Sequence, residues 1–226
     1  MFDPSQFSVT KARPIPVYLL LDTSGSMQGA KIDSLNEAVR QMLASFAEQE
    51  LAESIIEVGI ITFGGDQAVL VHRLVRAGAL NFQPLQAAGM TPMGDALGLI
   101  KSLVEDRRVT PSNAYRPTVI LVSDGEPNDQ WEQPLAAFIG QGRSAKCDRM
   151  AMAIGKDNQA TVLKRYTEGT GHPLFTATDA RQLHGFFRQV TMSVVARLYS
   201  LNPNEVSRLP DPPAGQAAAA DDLGIW

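Results

Sequence analysis

Short uncharged apolar runs alternate along this chain with segments whose apolar residues recur every three or four positions. Ile15 to Leu21 (IPVYLLL) suits a strand covered on both faces of a parallel sheet. Ile32 to Leu51 then sets Ile32, Leu35, Val39, Met42, Leu43 and Phe46 on one face of a helix. Ser54 to Phe63 (SIIEVGIITF) predicts a second strand, and Gly64-Gly65-Asp66 a tight hairpin into an antiparallel edge strand over Ala68 to Arg76. A looser segment, Ala77 to Pro92, leads into a helix from Met93 to Arg108. Beyond it the pattern predicts strands at Thr118 to Ser123, Arg149 to Ile154 and Pro173 to Thr176. Helices are expected at Trp131 to Gln141, Asn158 to Glu168 and Ala180 to Leu198.

This alternation predicts an α/β fold: a Rossmann-like open sheet of about six mostly parallel strands, one antiparallel edge strand, and helices on both faces. A single domain is expected over 1–200. From Asn202 the composition turns to proline, alanine, glycine and aspartate, so 201–226 is expected as a flexible tail. Its end, Asp221-Asp222-Leu-Gly-Ile-Trp226, joins acids to apolar residues and reads either as plain disorder or as a short docking segment.

Composition narrows the classes. Of 226 residues, 44% are hydrophobic and 19% charged, enough to bury a core without covalent staples. The net charge of -4 argues against a nucleic-acid surface. The single cysteine, Cys147, excludes an internal disulfide and reads as buried filler in a reducing compartment. No apolar run is long enough to span a bilayer, so no membrane insertion is expected and the cytoplasm is the expected setting. His72, His172 and His184 lie far apart, which disfavours a zinc site; any metal would be held by oxygen.

Asp22 and Asp124 each end a predicted strand, where ligands bind in open α/β sheets. Through Asp22-Thr23-Ser24-Gly25-Ser26, alternation can aim Asp22, Ser24 and Ser26 at one point, with Gly25 easing the turn. If the first strand neighbours Thr118 to Ser123, Asp124 arrives beside them. Two adjacent carboxylates call for a hard cation, and oxygen-only ligands favour Mg2+, with Mn2+ or Ca2+ as substitutes.

The segment Asp22-Thr23-Ser24-Gly25-Ser26 resembles the DxSxS signature of the metal-ion-dependent adhesion site (MIDAS) of the von Willebrand factor A (VWA) family. Thr91 (GMTPMGDAL) and Asp124 (SDGEP) match the family's two later positions, and the resemblance covers Arg13 to Leu198. It implies that Ser24, Ser26 and commonly Thr91 touch the metal through hydroxyls, while Asp22 and Asp124 often act through water. It further implies that a partner's Asp or Glu fills an open coordination position, so that the chain is a non-enzymatic interaction module. In texture the chain is most similar to compact bacterial proteins of the tellurite-resistance type, read as scaffolds encoded with kinases and phosphatases. That likeness implies a stress-signalling role with a kinase or phosphatase as partner.

Other readings compete for the same residues. Alone, Asp22 to Ser26 is also a loop and helix-cap sequence, and Thr91 a cap ahead of Pro92 and Met93. Gly25-Ser-Met-Gln-Gly29-Ala-Lys31 follows a strand as a phosphate loop does, but only three residues separate its glycines and isoleucine follows the lysine. Lys31 is therefore expected as a solvated helix residue. A metal-dependent phosphoryl-transfer enzyme or a nucleotide-binding protein is the alternative at this point, and neither serine lies in a Gly-x-Ser-x-Gly elbow. Asp95 and Glu126 are expected as solvated charges or helix-start anions. Candidate rim segments are Gln28 to Lys31, Gln86 to Met93 and Glu126 to Trp131, with Met90, Met93 and Trp131 as possible apolar contacts.

Overall fold

The computed structural model describes residues 12–49, 54–155 and 160–211. Its strands are β1 (Arg13–Asp22), β2 (Ser54–Gly64), β3 (Gln67–Arg76), β4 (Thr118–Ser123), β5 (Asp148–Ile154) and β6 (Phe175–Ala177). Among the described residues they form one six-stranded sheet in the order β3-β2-β1-β4-β5-β6. Only the β2–β3 pair is antiparallel. The helices are α1 (Ala30–Ala47), α2 (Met93–Glu105), α3 (Glu132–Gly140), α4 (Thr161–Thr167) and α5 (Ala180–Leu198). The expected α/β architecture with its antiparallel edge is the one observed.

Strand periodicity divides the core between the two faces of the sheet. Ile15, Val17, Leu19 and Leu21 of β1, with Ile120 and Val122 of β4, pack with α1 and α5. Tyr18 and Leu20, with Val119 and Leu121, face α2, α3 and α4 instead. Every residue of β4 is buried, which is why TVILVS reads as a continuous apolar run without alternation.

Several predicted boundaries move. The helix expected to reach Arg108 stops at Glu105, because Asp106 is extended and its carboxylate accepts the Arg108 N–H at 2.9 Å. The helix expected from Asn158 starts at Thr161, where Glu126 Oε1 accepts the Thr161 N–H at 3.0 Å. The helix expected to reach Leu51 ends at Ala47.

The segment expected as a tail begins packed against the domain. Arg197, 2% exposed, donates Nε to the Pro203 carbonyl at 2.7 Å, Nη1 to Thr118 Oγ1 at 2.8 Å and Nη2 to the Arg116 carbonyl. Burial lowers this guanidinium to about 10, so it stays charged at neutral pH. His172 Nδ1 accepts the Leu209 N–H at 3.1 Å, which places the ring proton on Nε2, facing Asp148 Oδ1 at 2.8 Å. Leu209 itself joins the core on the α1/α5 face. Composition misses this because the segment is poor in apolar residues, whereas a few well-seated side chains and satisfied backbone groups suffice. Asp221 to Trp226 lie outside the described residues. No described helix is long and apolar enough to cross a membrane.

Leu209→Ala should lower unfolding free energy by about 2 kcal/mol, the low end for a buried leucine truncation. Urea denaturation measures it; a loss below about 0.5 kcal/mol would show that this segment stands outside the cooperative unit.

Candidate metal centre

The register of two parallel strands builds the centre. Leu21 pairs with Val122 across β1 and β4, so Asp22 comes level with Ser123 and Asp124 emerges one step further on. Ahead of them α1 leaves toward one face of the sheet and α3 toward the other, which makes this the topological switch point. Ser123 Oγ donates to Asp22 Oδ2, and the Ser24 N–H donates to Asp22 Oδ1 at 2.8 Å. Ser24 Oγ lies 3.0 Å from Ser26 Oγ, and Ser26 Oγ donates to Asp124 Oδ1 at 2.7 Å. Asp22, Ser24, Ser26 and Asp124 thus form one hydrogen-bonded cluster.

The helix-cap reading of this loop does not describe what the hydroxyls do. Ser24 precedes a single 3-10 turn (Gly25–Met27) and Gly29 precedes α1, and neither end has a side-chain cap. Both serine hydroxyls turn into the cluster instead.

A second loop is sewn onto the first. The Ala88 N–H donates to the Thr23 carbonyl at 2.8 Å and the Gly25 N–H to the Gly89 carbonyl at 3.0 Å, while Gly65 N–H reaches the Ala88 carbonyl at 2.8 Å. Such contact demands glycine. A Cβ on Gly64 would lie 2.3 Å from the Thr23 carbonyl oxygen, and one on Gly89, at φ 72°, 2.4 Å from Gly65 Cα. Thr91 follows directly, its carbonyl accepting the Asn128 N–H at 3.2 Å. Its hydroxyl takes no hydrogen bond among the described residues. The cap role expected for Thr91 belongs to Asp129, whose carboxylate accepts the Gly94 and Asp95 N–H groups at 3.0 and 2.9 Å at the start of α2. Nothing in the local sequence pairs Asp129 with that helix end.

Lys31 departs from expectation. Rather than pointing into solvent, its Nζ lies 2.6 Å from Asp124 Oδ2 and 3.2 Å from the Ser26 carbonyl. Gly29, at φ 77°, turns the chain so that the first turn of α1 comes back over Ser26. Asp95 Oδ2 accepts the Ala68 N–H at 2.8 Å, and Glu126 is the helix-start anion of α4. Of the rim residues, Met90 is exposed, Met93 buried, and Trp131 half-buried beneath the Arg165 guanidinium. Cys147 is buried in the core, and burial pushes its thiol up to about 12.

The electrostatics fit a cation. Asp22 is fully buried and the Asp124 side chain only 1% exposed. Burial pushes the Asp22 carboxyl up against the pull of its hydrogen bonds from Ser123 and Ser24, and the Asp124 charge adds to the rise. Among the described residues no group of three His, Cys, Asp or Glu gathers to hold a metal, so hydroxyls would complete the donor set here. Two carboxylates with serine hydroxyls are hard donors and suit Mg2+, Mn2+ or Ca2+ rather than zinc or copper.

The sequence pattern of the von Willebrand factor type A domain matches residues 17–189, a span that includes both loops and all five expected ligands. The chain belongs to this family. The VWA chain is 26% identical over 192 residues to human (Homo sapiens) inter-alpha-trypsin inhibitor heavy chain H3, which covers 78% of this chain and 19% of that protein. It thus spans about a fifth of that relative's length. Its fold resembles the von Willebrand factor type A structure from Catenulispora acidiphila, with a TM-score of 0.62 at 21% identity over 80% of this chain and 43% of that one. The ArnB paralog VWA2 from Sulfolobus acidocaldarius aligns with a TM-score of 0.59 at 16% identity, covering 79% of this chain and 46% of that one.

A pH dependence follows from Asp22. Its folded-state value lies above the ordinary 3.8, so the folded protein binds the proton more tightly than the unfolded chain does. The stability Asp22 contributes in chelator is therefore fullest below 3.8 and is lost as pH rises through the raised value. Asp22→Asn should flatten the fall in stability on going from about pH 4 to about pH 7 in urea titrations. Identical slopes in wild type and variant would contradict this.

Proposed function

We propose that this VWA domain is a metal-dependent protein-interaction module whose MIDAS comprises Asp22, Ser24, Ser26, Thr91 and Asp124. One observation carries the reading: the serine hydroxyls leave the helix ends uncapped and close onto a pair of buried carboxylates at the switch point. Ser24 and Ser26 supply hydroxyl oxygens, Thr91 a third from the stitched loop, and Asp22 and Asp124 the compensating charge. Bound there, the divalent ion supplies a Lewis-acidic position for an Asp or Glu carboxylate of a partner. Specificity comes from the rim, where Met90 is 55% exposed beside Thr91, because one carboxylate–metal contact does not distinguish partners.

A binding role rather than catalysis is supported by how the reactive groups are used. Cys147 is buried with a raised thiol, and His172 is committed to Asp148 and the Leu209 backbone. The reading extends to a scaffold in a bacterial stress or tellurite-resistance system, with a kinase or phosphatase as partner and the cytoplasm as setting. The single cysteine supports the reducing setting of that reading.

Isothermal titration of Mg2+ and Mn2+ into chelator-stripped protein should show saturable binding that Asp22→Ala and Ser24→Ala each weaken at least about tenfold, the loss of one strong ligand. Absence of saturable binding to the wild type would overturn the metal-dependent reading.

A further inference from the structure

The centre already contains a cation, supplied by the chain itself. Asp124 Oδ2 is held by Lys31 Nζ at 2.6 Å, and Asp124 Oδ1 by Ser26 Oγ at 2.7 Å. Lys31 also reaches the Ser26 carbonyl at 3.2 Å, so it bridges two residues of the proposed ligand set. The carboxylate end of this pair is dry, with its side chain 1% exposed, whereas Lys31 is 19% exposed and opens toward the rim.

We propose that Lys31 sets the metal affinity of this centre, acting as an internal counter-cation that a divalent ion must displace from Asp124 Oδ2. The inference rests on the MIDAS reading above. A buried carboxylate without a partner is strongly destabilised, and the ammonium removes that penalty in the metal-free protein. An incoming divalent ion draws on the same carboxylate and repels an ammonium at contact distance. The two cations therefore exclude one another from Asp124. Lysine suits the part, being a compact charge on a flexible four-carbon stem that can swing into water, which a planar guanidinium does less readily. Asp22 is satisfied differently, by Ser123 Oγ and the Ser24 N–H, so the competition falls on Asp124 alone.

The test compares wild type, Lys31→Gln and Lys31→Arg as full chains by titration with Mg2+ and Mn2+, and by thermal unfolding in chelator and in saturating metal. Lys31→Gln should bind both ions about tenfold more tightly, melt lower in chelator and gain more from added metal than wild type does. Lys31→Arg, which keeps the charge on a group released less readily into water, should bind no more tightly than wild type. Lys31→Met, which keeps the apolar stem, replaces Lys31→Gln if that variant does not fold. Wild-type binding with equal or weaker binding by the neutral variants overturns the role of Lys31 and leaves the metal site standing. Failure of wild type and all variants to bind overturns the metal reading and the inference with it. Binding by the neutral variants alone upholds the exclusion of metal by Lys31 and, because the wild type then holds no ion, overturns the metal-dependent function.

Discussion

Two carboxylates brought to the dry end of a sheet repel one another and lack water to screen them, so the fold around them must supply compensation. In this VWA domain the pairing of β1 with β4 creates the difficulty, because the register that seats Leu21 beside Val122 also carries Asp22 and Asp124 out together. The surroundings answer it piece by piece. Ser123 and the Ser24 backbone serve Asp22, while Ser26 and Lys31 serve Asp124. Shifting either strand by one residue would send those groups to the opposite face and leave a carboxylate bare.

Such a centre needs loops that approach more closely than side chains normally permit. Gly64 packs on the Thr23 carbonyl and Gly89 on Gly65, so that segments from three parts of the chain share backbone hydrogen bonds. Thr91 inherits its place from this arrangement. The start of α2 is then secured by Asp129, which ties the rim beyond β4 to the same side of the molecule.

The fold was legible in the sequence because burial on both faces writes itself as uncharged runs: TVILVS is β4 from end to end. The α5 stripe likewise gives Ala180 to Leu198 without adjustment. That Asp22, Ser24, Ser26 and Asp124 come together was legible too, since Asp22 ends β1, Asp124 follows β4, and the two strands are neighbours. What escaped depends on contacts between distant segments. Lys31 looks like any solvated helix cation until Gly29 turns it back, and Ser123 looks like the last residue of a strand. The packing of this segment arises from the buried His172, 37 residues before Leu209, and from the buried Arg197 that holds Pro203, neither of which shows in the segment's own composition.

That arginine has a mechanical consequence. Arg197 sits one residue before the end of α5 and grips Thr118 and the Arg116 carbonyl at the entry of β4, together with the Pro203 carbonyl. A slide of α5 by one helical turn, about 5.4 Å, would tear all three bonds from a desolvated guanidinium. The helix is bolted to the foot of the strand whose head carries Asp124.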